Sequence, residues 1–265
     1  MNEEDLSVES IDARLDQINT RWSLMRLAVE ASFTDSGPAR QALALRYNGA
    51  IRKYIGALVR DQQDADDLAQ EVLVRILRGD FGGADPGRGR FRDLLKVAVR
   101  NMVRTFWSKQ SRRKPTGVDV ELLGDDSAQQ EADRVWQITW QNGVLTMAWR
   151  TLEAYEKEHA GCVAYSVLRL RTDYPDDDSE QLAARLSQAT GRAFAAAATR
   201  QQLRRARLRF AQLLAEEIAR GLKDPTPERV EEELRELGLL AYVGEFLGDD
   251  WQARGEMKMQ DPAGA

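Results

Sequence analysis

Cysteine and histidine are almost absent from this chain of 265 residues, which contains one of each, Cys162 and His159. A single cysteine excludes an internal disulfide and any multi-cysteine metal site, and a single histidine excludes the usual zinc sites. So little cysteine is typical of a reducing compartment. No apolar run approaches the roughly 18 residues needed to cross a bilayer, and the acidic start lacks the pattern of a signal peptide. We therefore expect a cytoplasmic protein with no metal and no cofactor.

The net charge of −5 conceals an uneven distribution. From Lys223 to the end, the chain carries 11 acidic and 5 basic residues, a balance of −6 that leaves +1 for the remainder. The basic residues of that remainder concentrate in two blocks, residues 88–114 and 200–210. Such blocks are where phosphate groups bind, so the sequence indicates a nucleic-acid partner.

Apolar residues recur at spacings of three and four and rarely alternate, which predicts an all-α fold. Turns rich in Gly, Pro or Asp separate the helical segments, at residues 34–38, 79–90, 114–117, 174–178 and 224–227. We predict two small helical domains joined by a flexible linker, with an extension at each end. The predicted bounds are 1–38 for an N-terminal helical extension, 39–113 for the first domain, 114–133 for an acidic linker, 134–222 for the second domain and 223–265 for an acidic extension containing a short helix.

The segment DADDLAQEVLVRIL, residues 64–77, predicts a helix with two different faces. At 100° per residue, one side gathers the apolar residues Leu68, Ala69, Val72, Leu73 and Ile76. The opposite side gathers three carboxylates, Asp64, Asp67 and Glu71, which we call the acidic stripe. The apolar side indicates core. The stripe fits either a solvated face that includes N-cap residues or a docking surface for a basic partner.

A basic helix is predicted next, over residues 91–107. Its apolar face would contain Phe91, Leu94, Leu95, Ala98, Met102 and Phe106. The other face carries cations at i, i+4 spacing, Lys96, Arg100 and Arg104, which we call the basic row, with Trp107 beside it. Cations can lie along a phosphate backbone, and an exposed indole can stack on an unpaired base. Either feature alone is also typical of an ordinary helix, but together they favour nucleic acid.

Residues 179–214 predict a helix-turn-helix. The first helix contains Leu182, Ala183 and Leu186, a break falls at Gly191, and the second helix has an apolar side that includes Leu203, Ala206, Phe210 and Leu213. The polar side of the second helix presents Arg200, Gln201, Arg204 and Arg205, with Arg207 near the edge. Arg and Gln can contact phosphates and can bond to guanine and adenine edges. A purely structural hairpin with the same pattern remains the alternative.

The order of these features resembles bacterial RNA polymerase sigma factors of the extracytoplasmic-function (ECF) type, in the sigma-70 family. Region 2 of that family has an Asp-Ala-x-Asp-Leu-x-Gln-Glu helix and then a Phe-Arg-x-x-Leu…Arg-Asn helix. The corresponding residues here are Asp64, Ala65, Asp67, Leu68, Gln70 and Glu71, and then Phe91, Arg92, Leu95, Arg100 and Asn101. The second block is similar to region 4, which ends in an Arg-Ala-Arg segment matched by residues 204–207. The run GRAFAAAAT departs from the family because it lengthens the turn.

This resemblance implies a sigma factor, which directs promoter-specific transcription initiation and is not an enzyme. It implies that the acidic stripe docks on the basic clamp helices of the polymerase β′ subunit, and that the acidic linker occupies the RNA exit path. It also implies that the melted −10 element binds Lys96, Arg100, Asn101, Arg104 and Trp107, with residues 79–90 helping to hold a flipped base. Region 4 would touch the β flap and read the −35 duplex through Arg200, Gln201, Arg204, Arg205 and Arg207.

Two other classes stay open. A helix-turn-helix regulator that acts without polymerase would need the arginine-rich helix but not the acidic stripe. An enzyme is disfavoured, because the chain lacks a phosphate-binding glycine loop and a serine or cysteine placed with histidine. The acidic stripe could in principle bind magnesium, but carboxylates along one side of a helix give no closed ligand set.

The acidic extension suggests regulation. We hypothesise that it folds against the helix of residues 200–209 in the free protein and weakens DNA binding until polymerase engages. The sequence leaves open whether an anti-sigma factor or another regulator also binds.

Overall fold

The computed structural model describes residues 37–78, 90–113, 126–222 and 225–247. Over these residues the chain forms helices and no strand, which confirms the predicted all-α fold. The helices in chain order are α1 (Gly37–Leu58), α2 (Gln62–Arg78), α3 (Phe91–Arg113), α4 (Asp126–Glu158), α5 (Ala164–Asp173), α6 (Ser179–Thr190), α7 (Ala196–Ala219), α8 (Pro227–Glu236) and α9 (Leu240–Leu247). Within the described ranges, no helix combines the length and the apolar character needed to span a membrane.

The described residues divide into two compact units. The first contains the described residues up to Trp140 together with residues 220–222, and the second contains Gln141–Ala219 and residues 225–247. Helix α4 begins at Asp126, so residues 126–133 are helical where the composition predicts part of a linker. The predicted N-terminal extension lies outside the described residues as far as residue 36. The domain bounds given above stay a prediction.

The core of the first unit is built from one face each of α1, α2 and α3. These faces follow from apolar residues at helical spacing, which bring their side chains to the same side of each helix. On α2, four of the five predicted core residues are buried, and Leu73 is half-buried. The buried apolar residues include Ile51, Tyr54 and Ile55 of α1, Leu68, Ala69, Val72 and Ile76 of α2, and Leu95, Val99, Met102 and Val103 of α3.

Aromatic contacts hold the first part of α4 in this unit. The ring of Tyr47 stacks on Trp140 with centroids 5.0 Å apart and an interplanar angle of 5°. Tyr54 meets the edge of Trp136 at 5.3 Å. Ala132, Trp136 and Trp140 are all buried and are spaced four residues apart, so they share one face of the helix. Tertiary packing of this face accounts for helix in a segment whose acidic composition suggests a linker.

The second unit contains the predicted helix-turn-helix. Its core joins Leu152 of α4, Val167 of α5, Leu186 of α6 and Leu203 of α7, and the other predicted apolar residues of α6 and α7 are buried or half-buried. Helix α6 starts at a capping box, in which the Asp178 carboxylate accepts the N–H groups of Glu180 and Gln181 at 2.8 Å. The two helices and their apolar faces are therefore confirmed.

Two short helices of the acidic extension pack against α7 in the same unit. Helix α8 is capped by Thr226, whose hydroxyl accepts the Arg229 N–H, and it begins with proline, a residue well suited to the first turn. Val230 and Leu234 of α8 are buried. Gly238 has a φ of 67°, a left-handed conformation that glycine adopts without strain, and it separates α8 from α9. The extension thus has two helices where one is predicted.

Candidate nucleic-acid interface

The acidic stripe lies at the surface of α2. Asp67 and Glu71 are exposed and Asp64 is half-buried, whereas the opposite side of the helix is in the core. The start of α2 is capped by Asp61, whose carboxylate accepts the Asp64 N–H at 2.8 Å. Because Asp61 caps the helix, Asp67 and Glu71 do not serve as its caps, and their side chains lie at the surface. They present negative charge to solvent.

Two ion pairs at or beside the stripe are exposed. Glu71 Oε1 lies 2.7 Å from a guanidinium nitrogen of Arg75 one turn along, and Asp66, outside the stripe, lies 2.6 Å from Arg52. Exposed pairs contribute only about 0–1 kcal/mol, so Glu71 can exchange Arg75 for another cation at small cost. Across the described residues, no group of three or more His, Cys, Asp or Glu side chains is arranged to hold a metal ion.

The basic row lies on α3 but is not uniformly exposed. Arg104 is exposed, whereas Lys96 and Arg100 are half-buried. The predicted apolar face was incomplete, because Val99 and Val103 are also buried. With these two valines, the buried face of α3 extends to the positions next to Lys96 and Arg100. The side chain of Phe91 lies outside the described residues, and the other members of the predicted face are buried or half-buried.

Two members of the basic row bond to the first part of α4. Lys96 Nζ lies 3.0 Å from Asp133 Oδ1, and Arg100 donates its Nε–H to Gln129 Oε1 at 3.0 Å. The Gln129 amide donates to Asp133 Oδ1 at 2.9 Å and to the Tyr54 hydroxyl at 3.2 Å. Burial raises the pKa of the Tyr54 hydroxyl, the hydrogen bond from Gln129 opposes that rise, and the charge of Asp133 adds to it. The row is thus part of a polar network that links α1, α3 and α4.

Asn101 lies on another side of α3, in a groove between α2 and α3. The groove has a volume of about 240 Å³ and is lined by Glu71, Arg75, Ala98, Asn101, Met102, Thr105, Phe106 and Lys109. The Asn101 amide can both donate and accept hydrogen bonds, and apolar atoms of Met102 and Phe106 lie in the same groove. Such a mixture suits a flat group with polar edges. Residues 79–89 of the loop predicted to help hold a base lie outside the described residues.

Trp107 is less accessible than predicted. Its side chain is half-buried, and its ring meets the edge of Phe106 with centroids 5.5 Å apart. The accessible part of its indole is a smaller stacking surface than the exposed ring that the sequence suggests.

Helix α7 presents the predicted cations of the second unit to solvent. Arg200, Gln201, Arg204 and Arg205 are all exposed, and Arg207 is half-buried with its guanidinium 5.7 Å from the centroid of the Phe246 ring in α9. The described part of the extension, residues 225–247, therefore packs on α7 and leaves these four side chains exposed. Packing alone does not support the part of the hypothesis in which the extension shields DNA-binding residues.

The turn before α7 is shorter than the run GRAFAAAAT suggests. It covers residues 191–195, and most of the alanine run forms the first turn of α7. Gly191 ends α6 with a φ of 68°, and the Phe194 N–H donates to Ser187 Oγ at 2.9 Å. These contacts fix the direction in which the second helix leaves the turn.

Two residues beside the surface of α3, Gln129 and Asp133, are not predicted from the sequence. They lie in the segment predicted to be a linker. The available signal was the spacing of Gln129, Asp133, Trp136 and Trp140, which recurs at three and four residues and indicates one side of a helix.

Comparison with known proteins gives a match over part of the chain. No curated protein and no solved structure matches the chain. Residues 43–113 match the family model described as Sigma-70 region 2. The matched residues, roughly a quarter of the chain, include the acidic stripe, the groove beside Asn101 and the basic row, and end before Gln129 and Asp133. This match assigns a Sigma-70 region 2 domain to the described residues of the first unit.

Proposed function

We propose that this protein is an ECF-type sigma factor, a dissociable subunit that gives core RNA polymerase its promoter specificity and performs no covalent chemistry. The observation that carries the proposal is the arrangement of charge within the matched residues. Exposed carboxylates lie on α2, cations lie on α3, and neither set is buried inside the unit. Neighbouring helices with opposite exposed charge suit two different partners, a basic protein surface and a nucleic acid.

The polymerase contact in this proposal is the acidic stripe. Asp64, Asp67 and Glu71 would bind the basic clamp helices of the β′ subunit, and the weak pair between Glu71 and Arg75 would be exchanged in the complex. Because these carboxylates are at the surface, docking requires no rearrangement of the helix that carries them.

The −10 contact in this proposal is the surface of α3. Arg104 and Arg100 would bind phosphates of the melted strand, with Lys96 contributing as far as its pair with Asp133 allows. Asn101 would bond to a base edge at the groove, and the accessible part of Trp107 would stack on a neighbouring base. Each stacked base contributes about 1–3 kcal/mol, which favours the separated strands over the duplex.

The −35 contact in this proposal is the exposed side of α7. Arg200, Gln201, Arg204 and Arg205 are solvent-facing residue types that bind phosphates and base edges in the major groove, and Arg207 would add charge at the border. Most of the buried residues of α7 lie in the half that follows, between Ala211 and Ile218, so this half anchors the helix. A contact of this unit with the β flap is part of the same proposal.

Run-off transcription with core polymerase tests the proposal. The double variant Asp64→Arg, Asp67→Arg should lose core binding and transcription while it keeps its melting temperature, because it reverses two surface charges at the clamp contact. Glu158→Arg reverses an exposed charge outside the stripe and serves as the matched control. Unchanged transcription by the double variant would contradict the polymerase contact. Polymerase-independent binding of duplex DNA by both variants would then favour a helix-turn-helix regulator.

A further inference from the structure

We propose that Asp133 attenuates DNA binding at the basic row, because it offsets the charge of Lys96 at the edge of the DNA-binding surface. This inference rests on the proposed function of α3 as the −10 contact. Asp133 lies outside the residues that match Sigma-70 region 2. A residue contributed by α4 would thus set how strongly the matched domain holds a phosphate backbone.

Three donors converge on one oxygen of Asp133. Lys96 Nζ lies 3.0 Å from Oδ1, the Gln129 amide donates to it at 2.9 Å, and the Tyr54 hydroxyl donates at 3.4 Å. The two neutral donors fix the position of the carboxylate, and only Lys96 offsets its charge among these three. A phosphate that takes Lys96 away leaves a half-buried carboxylate with two neutral partners, so the exchange carries a cost.

The carboxylate is held by a packed helix. Trp136 and Trp140 follow Asp133 along α4, are 3% and 5% exposed, and pack on Tyr54 and Tyr47 of α1. The backbone at Asp133 can move away from Lys96 only if this aromatic packing is disturbed. The lysine has a long flexible stem, so it is the partner that moves when a phosphate competes.

The other two members of the basic row lack this offset in their described contacts. Arg100 donates to Gln129, a neutral amide that leaves the charge of the guanidinium unchanged. Arg104 is exposed. The charge available to a phosphate backbone therefore rises along α3 from Lys96 to Arg104, and Asp133 is the reason that the first member is weakest.

Binding of a labelled single-stranded DNA of mixed sequence, measured with the full chain across a salt series, tests the inference. Asp133→Asn keeps the shape of the side chain and frees Lys96, so it should bind about 1.5- to 5-fold tighter, the range expected for a surface ion pair. The plot of log K against log salt should steepen by about 0.7, the value for one added phosphate contact on a single strand. Asp66→Asn removes the same charge from a similarly exposed pair with Arg52, and it should leave the slope unchanged.

A second background shows whether the effect runs through Lys96. In the Lys96→Gln protein, Asp133→Asn should no longer steepen the plot of log K against log salt, because it releases no cation there, and an equal steepening in that background overturns the inference. Unchanged or weaker binding by Asp133→Asn, while the wild type binds and the variant is folded by circular dichroism, also overturns it. If Asp133→Asn does not fold, two single variants of the wild type test the inference instead. Arg104→Gln should lose more affinity than Lys96→Gln. Equal losses would contradict the inference. A wild type that binds neither single-stranded DNA nor core polymerase would instead refute the proposed function.

Discussion

The ring of Tyr47 in α1 lies flat against the indole of Trp140 in α4, with centroids 5.0 Å apart. This contact joins a residue within the Sigma-70 region 2 match to one beyond it. It makes the first part of α4 a component of the core of the first unit. The polar contacts of Asp133 and Gln129 with α3 depend on that position.

Trp140→Ala should therefore destabilise the first unit by about 3–5 kcal/mol, because it removes a large buried ring and leaves a cavity. Urea unfolding followed by circular dichroism measures the change. Ile138→Ala, on the same helix but 45% exposed, is the matched control and should have a small effect. Equal losses from the two variants would show that the aromatic face of α4 contributes no more to stability than its solvent side.

Arg204→Ala should weaken binding to duplex DNA of mixed sequence and reduce the slope of log K against log salt by about 0.9, the value for one phosphate contact on B-DNA. Arg209→Ala is the control, because the Arg209 guanidinium lies 4.6 Å from the centroid of the Tyr155 ring and contributes to packing. We expect the control to lower thermal stability and to leave the slope unchanged. A slope that responds to Arg209 and not to Arg204 would place the DNA surface elsewhere on α7.

Asp178→Ala should destabilise the second unit by about 1 kcal/mol, because two N–H groups at the start of α6 lose their acceptor. Thermal unfolding measures this loss. Asp176→Ala removes an exposed carboxylate from the same turn and should leave the melting temperature nearly unchanged. If both variants melt at the wild-type temperature, the capping box contributes little to stability.

Leu234→Ala tests whether the extension supports α7 or inhibits it. Leu234 is fully buried in α8, so the substitution should cost about 2–5 kcal/mol of stability in the second unit. Because the four side chains of α7 proposed to contact DNA are exposed, affinity for duplex DNA should stay at the wild-type level at temperatures where the variant is folded. Glu232→Ala, at an exposed position of the same helix, is the control. A rise in affinity with Leu234→Ala would support the hypothesis that the extension shields DNA-binding residues.

Alkaline pH should weaken the first unit through Tyr54. Burial raises the pKa of this hydroxyl above its ordinary value of 10.0, so the native state holds the proton more tightly than the unfolded state does. The stabilisation is complete below pH 10.0 and is lost as pH rises from there through the raised pKa. Urea unfolding on either side of this range should show a steeper loss of stability for the wild type than for Tyr54→Phe. Parallel curves would contradict the assignment.

Much of the fold follows from the sequence because apolar spacing reports which side of a helix is buried. The two faces of α2 and the helices around Gly191 are examples, since Leu68 and Leu186 are both buried as predicted. Gly238 carries a similar signal for the end of α8, where the sequence analysis predicts one helix and the structure has two.

The surface of α3 was harder to predict, because the bounds of its buried face depend on a neighbour distant in sequence. The predicted apolar face omits Val99 and Val103, which are buried on the side of α3 where the first part of α4 contacts Lys96 and Arg100. The composition of residues 126–133 is acidic, and the aromatic residues that make it helical come later, at Trp136 and Trp140. The roles assigned to the stripe, the row and α7 stay predictions.

The position of three tryptophans on α4 has a practical consequence. Trp136 and Trp140 lie in the core of the first unit, whereas Trp149 lies in the second, with its ring centroid 4.9 Å from that of Phe210. Variants that keep one of these indoles and carry phenylalanine at the other five tryptophan positions of the chain would give each unit its own fluorescence signal. Unfolding of the first unit and of the second unit could then be followed separately, by intrinsic emission and without an attached dye.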